Sequence, residues 1–331
     1  MQINMAMQNS INYVGIDISK PFFDVAIPQG EKYLHYKFDN DQPGFTAFRQ
    51  VLPDDPLVVM EASGPYYLRL ATFLNAKGIT VSVINPLVIR RFCQMRMARA
   101  KTDKKDACMI AAYGSTEKPP RWQPPKEHEV ALGQREALLE NLQKEYTAVN
   151  NQFESFISSG MIDKSLEQTL TKELEHKKEL IDQLTLEMEE LAKKHYSTLL
   201  ASLESIPGLG KKTAIMLIVA SGGFGRFSNY RKLISYIGLS PRIFESGISI
   251  KGKARICKMG MSRLRAMLYL CSWSAKRYNK ACCQLYERLL AKGKAKKLAL
   301  IAVVNKLLKQ AFAIATNHTL YNENYTAKAC F

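Results

Sequence analysis

Four carboxylates stand where they could do phosphoryl chemistry. Asp17 ends a short apolar run in YVGIDISK, and Glu61 ends another in VVMEASG. Asp103 and Asp106 lie three apart in KTDKKDA, so on a helix they share one face. An all-oxygen ligand set of this kind suits hard divalent cations, Mg²⁺ first and Mn²⁺ second. Two such ions, roughly 3.5–4 Å apart, clamp an in-line displacement at phosphorus by assisting both the attacking and the leaving oxygen. Taken singly, each acid has a plainer explanation as a turn residue or a helix cap paired with Lys104 or Lys105. Taken together, two at strand ends and two on one helical face, they are expected to form a metal site.

A second feature is IPGLGKKTA, residues 206–214. Gly208 and Gly210, in a tight turn ahead of a helix, would offer backbone amides and a helix N-terminus to a phosphate, with Lys211 and Lys212 beside them. This reads as helix-hairpin-helix contact with a DNA backbone; the plainer alternative is a glycine turn between packed helices. A third feature spans residues 238–265, where Ser246-Gly247 is flanked by Arg242, Lys251, Lys253, Arg255, Lys258, Arg263 and Arg265. Those cations would grip phosphates without reading sequence. A serine hydroxyl is a poor nucleophile until activated, and spacing alone does not separate Ser246 from Ser240 or Ser249.

These residues need a frame. Apolar runs at 13–18, 22–27 and 33–38 predict an antiparallel meander. A helix over 43–52, a buried strand at 57–60, a helix over 65–77 stopped by Gly78, and a strand at 79–84 ended by Asn85-Pro86 follow. This is the element order of an RNase H-like (RuvC-like) α/β sheet. In that sheet the first and fourth strands are neighbours, and a following helix can lay its acidic face across their ends. The segment 116–126, with four of the thirteen prolines, predicts a linker. Beyond it, Glu127–Ser158 and a second helix with Leu174, Lys177, Ile181, Leu184, Met188, Leu191 and His195 on a heptad seam predict an antiparallel hairpin or coiled coil. That arm is a spacer or a dimerisation device. The last third is helical, over 213–220, 230–237, 262–278 and 298–315. Three parts are therefore expected: 1–115, 116–200 and 201–331.

Charge separates the parts. The 331-residue chain has a formal net charge of +17. Residues 1–115 carry 13 basic and 10 acidic side chains, 116–200 carry 11 and 16, and 201–331 carry 23 and 4. An offset confined to the last third predicts a polyanion-binding surface. The hydrophobic fraction of 47% argues against disorder. No hydrophobic run reads as membrane-spanning and no targeting segment is evident, so a cytoplasmic protein without membrane contact is expected. Seven cysteines without CxxC spacing indicate neither a disulfide framework nor a zinc site.

In combination YVGIDISK, VVMEASGPYY, KTDKKDA, SIPGLGKKTA and GLSPRIFESG…KMGMSRLR resemble the DEDD recombinases. These are the bridge-RNA-guided insertion-sequence transposases and the Piv-type DNA invertases. The resemblance covers nearly the whole chain, in order. It implies a RuvC-like N-terminal domain, a coiled-coil spacer and a helical C-terminal transposase domain. The family's four metal-binding acids fall on Asp17, Glu61, Asp103 and Asp106, and its serine nucleophile on Ser246. It further implies DNA element ends and target as substrates, a guide (bridge) RNA as partner, and a dimer or tetramer whose two catalytic domains come from different protomers. One departure is visible: Met261 stands where the family's Lys-x-Gly-Asn motif has Asn. The competing readings are a junction-resolving nuclease that uses water instead of Ser246, and a non-catalytic nucleic-acid binder.

Overall fold

Alternating apolar residues build a sheet that is covered on both faces. In the computed structural model residues 12–97, 102–242, 245–246, 250–251 and 255–324 are described, the two short internal pairs by backbone alone. The chain divides into two compact units, residues 1–125 and 126–331.

The first unit runs β1 (Asn12–Ile18), β2 (Phe22–Gln29), β3 (Lys32–Asp39), α1 (Gln42–Val51), β4 (Pro56–Glu61), α2 (Tyr67–Ala76), β5 (Thr80–Ile84), α3 (Pro86–Met95) and α4 (Asp103–Glu117). The sheet order is β3-β2-β1-β4-β5, with the first three strands antiparallel and β1, β4 and β5 parallel. Successive side chains leave a strand on opposite faces. Val14, Ile16, Ile18, Val58 and Met60 point to a core closed by Phe45 and Phe48 of α1 and Leu70 and Leu74 of α2. Tyr13, Leu57 and Val59 point the other way, to Ile89 of α3 and Ile110 of α4. Helix α4 lies directly on this second face. A Cβ on Gly15 would run into the Ala107 carbonyl, and one on Gly114 into Val59.

Helix α3 was not expected. Asn85-Pro86 reads as a strand breaker, yet Asn85 caps the helix by accepting from Leu87 N–H at 2.9 Å, and Pro86 opens it. The start of the linker is also pinned. Ser82 Oγ donates to the Pro120 carbonyl at 2.7 Å, and Trp122 N–H donates to the Val81 carbonyl at 2.7 Å.

The second unit contains α5 (Glu127–Ser158), α6 (Lys164–Glu204), α7 (Lys211–Ser221), α8 (Tyr230–Ile237), the two-residue strands β6 (Pro241–Arg242), β7 (Glu245–Ser246), β8 (Ile250–Lys251) and β9 (Arg255–Ile256), then α9 (Ser262–Tyr278), α10 (Lys280–Ala291) and α11 (Lys296–Asn317). Helices α5 and α6 form an antiparallel hairpin, fixed by ion pairs Arg135–Glu187 at 3.0 Å and Glu145–Lys177 at 2.8 Å. On α6 the expected seam holds, with Leu174 and Met188 buried and Ile181, Leu184 and Leu191 half-buried. On α5 Leu138 faces solvent, and Leu132 and Leu139 take the inward positions. The base of the hairpin shares one core with α7, α8, α9 and α11.

Helix α6 is kinked at Tyr196, whose φ of −136° and ψ of 31° leave the helical region. Tyr196 Oη donates to Glu129 Oε1 at 3.1 Å and lies 3.1 Å from His128 Nε2, while the His128 and His195 rings stack at 4.1 Å. Helix α10 was not foreseen because one buried residue, Asn279, both ends α9 and caps α10 by accepting from Cys282 N–H. Helix α11 corrects the reading that no stretch is long and apolar enough to span a membrane: its 22 residues are. Its Leu300, Val303, Val304, Leu307, Leu308 and Ala311 are buried in the bundle core instead.

Candidate nucleic-acid-processing site

Strand parity brings two of the four acids to one face, and helix α4 adds the other two. Asp17 follows Tyr13 and Gly15 on the α4 side of β1, and Glu61 follows Leu57 and Val59 on the α4 side of β4. Thr102 caps α4 by accepting from Lys105 N–H, which puts Asp103 and Asp106 in its first turn over that same face. A helix N-terminus favours negative charge there. The close approach at Gly15 is what allows α4 to sit low enough on β1 to do this.

The electrostatics register this gathering. Burial, followed by the charges of Asp106, Glu61, Asp103 and Asp24, pushes Asp17 from 3.8 up to about 6. Glu61 accepts from Ser63 Oγ at 2.9 Å. Among the described residues no lysine or arginine forms an ion pair with Asp17, Glu61 or Asp103. Nor do three acidic, His or Cys side chains among them close into a metal-holding group. The donor chemistry fits a hard divalent cation: carboxylate oxygens on one face, one of them half-buried and made costly to ionise by its neighbours.

Sequence reasoning missed a fifth acid. Asp24 of β2 stands directly opposite Asp17 in the antiparallel register, so it lies on the same face. It is only 4% exposed and accepts a hydrogen bond from His35 Nε2 at 2.7 Å. An aspartate flanked by apolar residues in FFDVAIP was the available signal.

In the second unit the glycine turn after α6 has two distinct members. Gly208 has φ +95°, and a Cβ there would meet the backbone of Ala275 in α9. Gly210 caps α7 in open space. Lys212 is exposed, whereas Lys211 pairs with Glu189 at 3.4 Å. Within this basic stretch lie two small ladders: β6 pairs with β9, and β7 with β8, which sets Ser246 opposite Ile250. The side chains of Ser246 and Lys251, and the whole of Lys253, lie outside the described residues. Arg242, Arg255 and Lys258 are exposed. Arg263 instead donates to Glu136 at 2.5 Å, and Arg265 donates to the Ile237 carbonyl at 2.8 Å. Met261 is the N-cap of α9, makes no capping bond and packs against the core. An asparagine there could cap; a methionine cannot.

Comparison with known proteins gives this arrangement its setting. A transposase model of the DEDD IS110 type matches residues 14–162, and a model of the IS116/IS110/IS902 transposase family matches residues 200–287. The pilin gene-inverting proteins of Moraxella bovis and Moraxella lacunata are each 33% identical over 320 residues, covering 92% of this chain and 96% of theirs. An insertion element IS110 protein of Streptomyces coelicolor is 30% identical over 125 residues, 38% of this chain. The class is that of DNA recombinases and transposases, enzymes that rearrange DNA. Within it the chain belongs to the IS110-type transposase and Piv-type invertase family. Members of that family generally depend on divalent metal ions.

Proposed function

We propose that the chain cuts and rejoins DNA by transesterification, with Ser246 as nucleophile and Asp17, Glu61, Asp103 and Asp106 as ligands of two Mg²⁺ ions. The observation that carries this is the convergence of the four acids on the α4 face of β1 and β4, expressed in the raised proton affinity of Asp17. The sheet order, with its antiparallel meander and parallel β1-β4-β5, supports an RNase H-like assignment for residues 1–115.

Bound metal would supply Lewis acidity at the scissile phosphate. The carboxylates would hold that positive charge at the sheet end, and their neutralisation would keep them from repelling the backbone phosphates. Ser246 Oγ forms a bond to phosphorus while one phosphorus–oxygen ester bond breaks. Its proton is lost to the surroundings and the departing DNA oxygen gains one, so the number of phosphoester bonds is conserved. A phosphoserine link stores the bond until the second strand attacks. Gly208, Gly210, Lys212, Arg242, Lys251, Lys253, Arg255 and Lys258 grip the backbone without reading sequence. Lys211, Arg263 and Arg265, each bonded within the helical unit, help to shape that surface. The hairpin serves as a dimerisation arm, and dimers or tetramers supply the two catalytic parts from different protomers. An element-encoded bridge RNA selects the target.

A second reading, inversion of a DNA segment, is favoured by the near-full-length likeness to the two pilin gene-inverting proteins. Substituting Ser246→Ala tests the chemistry. Loss of strand exchange and of any protein–DNA adduct supports the serine mechanism. Undiminished cutting by the variant assigns the nucleophile to water and the protein to the junction nucleases. Sequencing of RNA copurified with the protein separates guided transposition from inversion.

A further inference from the structure

The buried acid that the proposed chemistry leaves unused stands beside the metal ligands. Asp24 is the direct cross-strand partner of Asp17, on the face covered by α4, and is 4% exposed. A buried carboxylate ordinarily takes the nearest cation. In register that is Lys37, but the Lys37 ammonium lies 3.3 Å from the centre of the Phe22 ring. Asp24 is held instead by His35 Nε2 at 2.7 Å, donated from the outer strand β3. An ionised carboxylate only accepts, so the imidazole carries its proton on Nε2 and fixes the direction of the Asp24 oxygens. The negative charge of Asp24 reaches Asp17, where it is one of four carboxylate charges that favour the protonated form. A cation drawn to Asp17 would feel the same field with opposite sign.

We propose that Asp24, oriented by His35, is a positioning residue that raises the divalent-cation affinity of the acid cluster through its charge without ligating the ion. This rests on the assignment of Asp17, Glu61, Asp103 and Asp106 as metal ligands. Groups beyond the ligand shell commonly change metal affinity by about 10–100-fold.

The test titrates Mn²⁺ into the full-length protein and follows free ion by electron paramagnetic resonance, without DNA. Asp24→Asn keeps an oxygen for His35 to donate to and removes only the charge. It should weaken Mn²⁺ binding about 10-fold while the melting temperature of the metal-free protein stays at or above wild type. Should Asp24→Asn not fold, His35→Lys carries the test, because it leaves the carboxylate in place and neutralises it from the half-exposed side. It should weaken binding several-fold in the same way. Unchanged affinity in the folded variant overturns the proposal. Asp17→Asn is run alongside. If it binds Mn²⁺ as wild type does, the ligand assignment itself fails. If it abolishes binding while Asp24→Asn binds normally, the assignment stands and only the role of Asp24 falls.

Discussion

A single half-buried carboxylate makes the clearest pH prediction. Asp17 titrates near 6 in the folded chain against 3.8 ordinarily, so the folded state holds its proton more tightly than the unfolded one. Its ionisation therefore opposes folding: the penalty is full above about pH 6, shrinks as pH falls, and is gone below about 3.8. Metal-free Asp17→Asn should be more stable than wild type at pH 7 in urea unfolding, and the advantage should narrow by pH 5. The same variant should lose DNA processing. Equal stability of the two proteins at both pH values would show that neither burial nor the neighbouring acids penalise the Asp17 charge. Asp17 and Glu61 were legible in the sequence because each ends an apolar run. Asp24 was not, because its meaning depends on which residue the neighbouring strand sets opposite it. The two small ladders around Ser246 were not legible either, since the flanking glycines and serines give no periodicity to read.

Among the elements, α5 and α9 are joined by an ion pair that sequence reasoning would have spent on DNA. Glu136 and Arg263 lie 127 residues apart, with side chains 11% and 18% exposed. Burial pushes Glu136 up, and Arg263 partly offsets that. Arg263→Ala would strand the carboxylate and should cost about 3 kcal/mol, read as a lowered denaturant midpoint. The joint replacement Glu136→Leu with Arg263→Met should recover most of it. DNA affinity in that double variant should stay close to wild type; a large loss would return Arg263 to the phosphate-gripping set. The strands and long helices of this chain were legible from period alone. Helices α3 and α10 were not, because Asn85 and Asn279 each look like an ending and are also a beginning.

For the whole molecule, the charge excess is carried after residue 200, where 23 basic side chains face 4 acidic ones. Binding to DNA should therefore be governed by release of counterions. Even four phosphate contacts imply a loss of about 100-fold in affinity between 50 and 200 mM salt. Titration of labelled duplex across that range measures the slope, and a flat response would mean that the basic third does not meet the backbone. The charge asymmetry between the parts was readable from composition. That the base of the hairpin belongs to the C-terminal core was not, since heptad spacing reports that a helix packs and not against what.

The kink at Tyr196 makes α6 a lever of unequal arms. From Lys164 to His195 the helix extends about 48 Å at 1.5 Å per residue, while the short remainder, with Met188 and Ala192 at the base of the long arm, is rooted in the bundle core. By that geometry each degree of bend at the fulcrum swings the tip by about 0.8 Å. The tyrosine hydroxyl and the two stacked imidazoles at that point thus set the aim of the distal turn at Ser159 and Gly160.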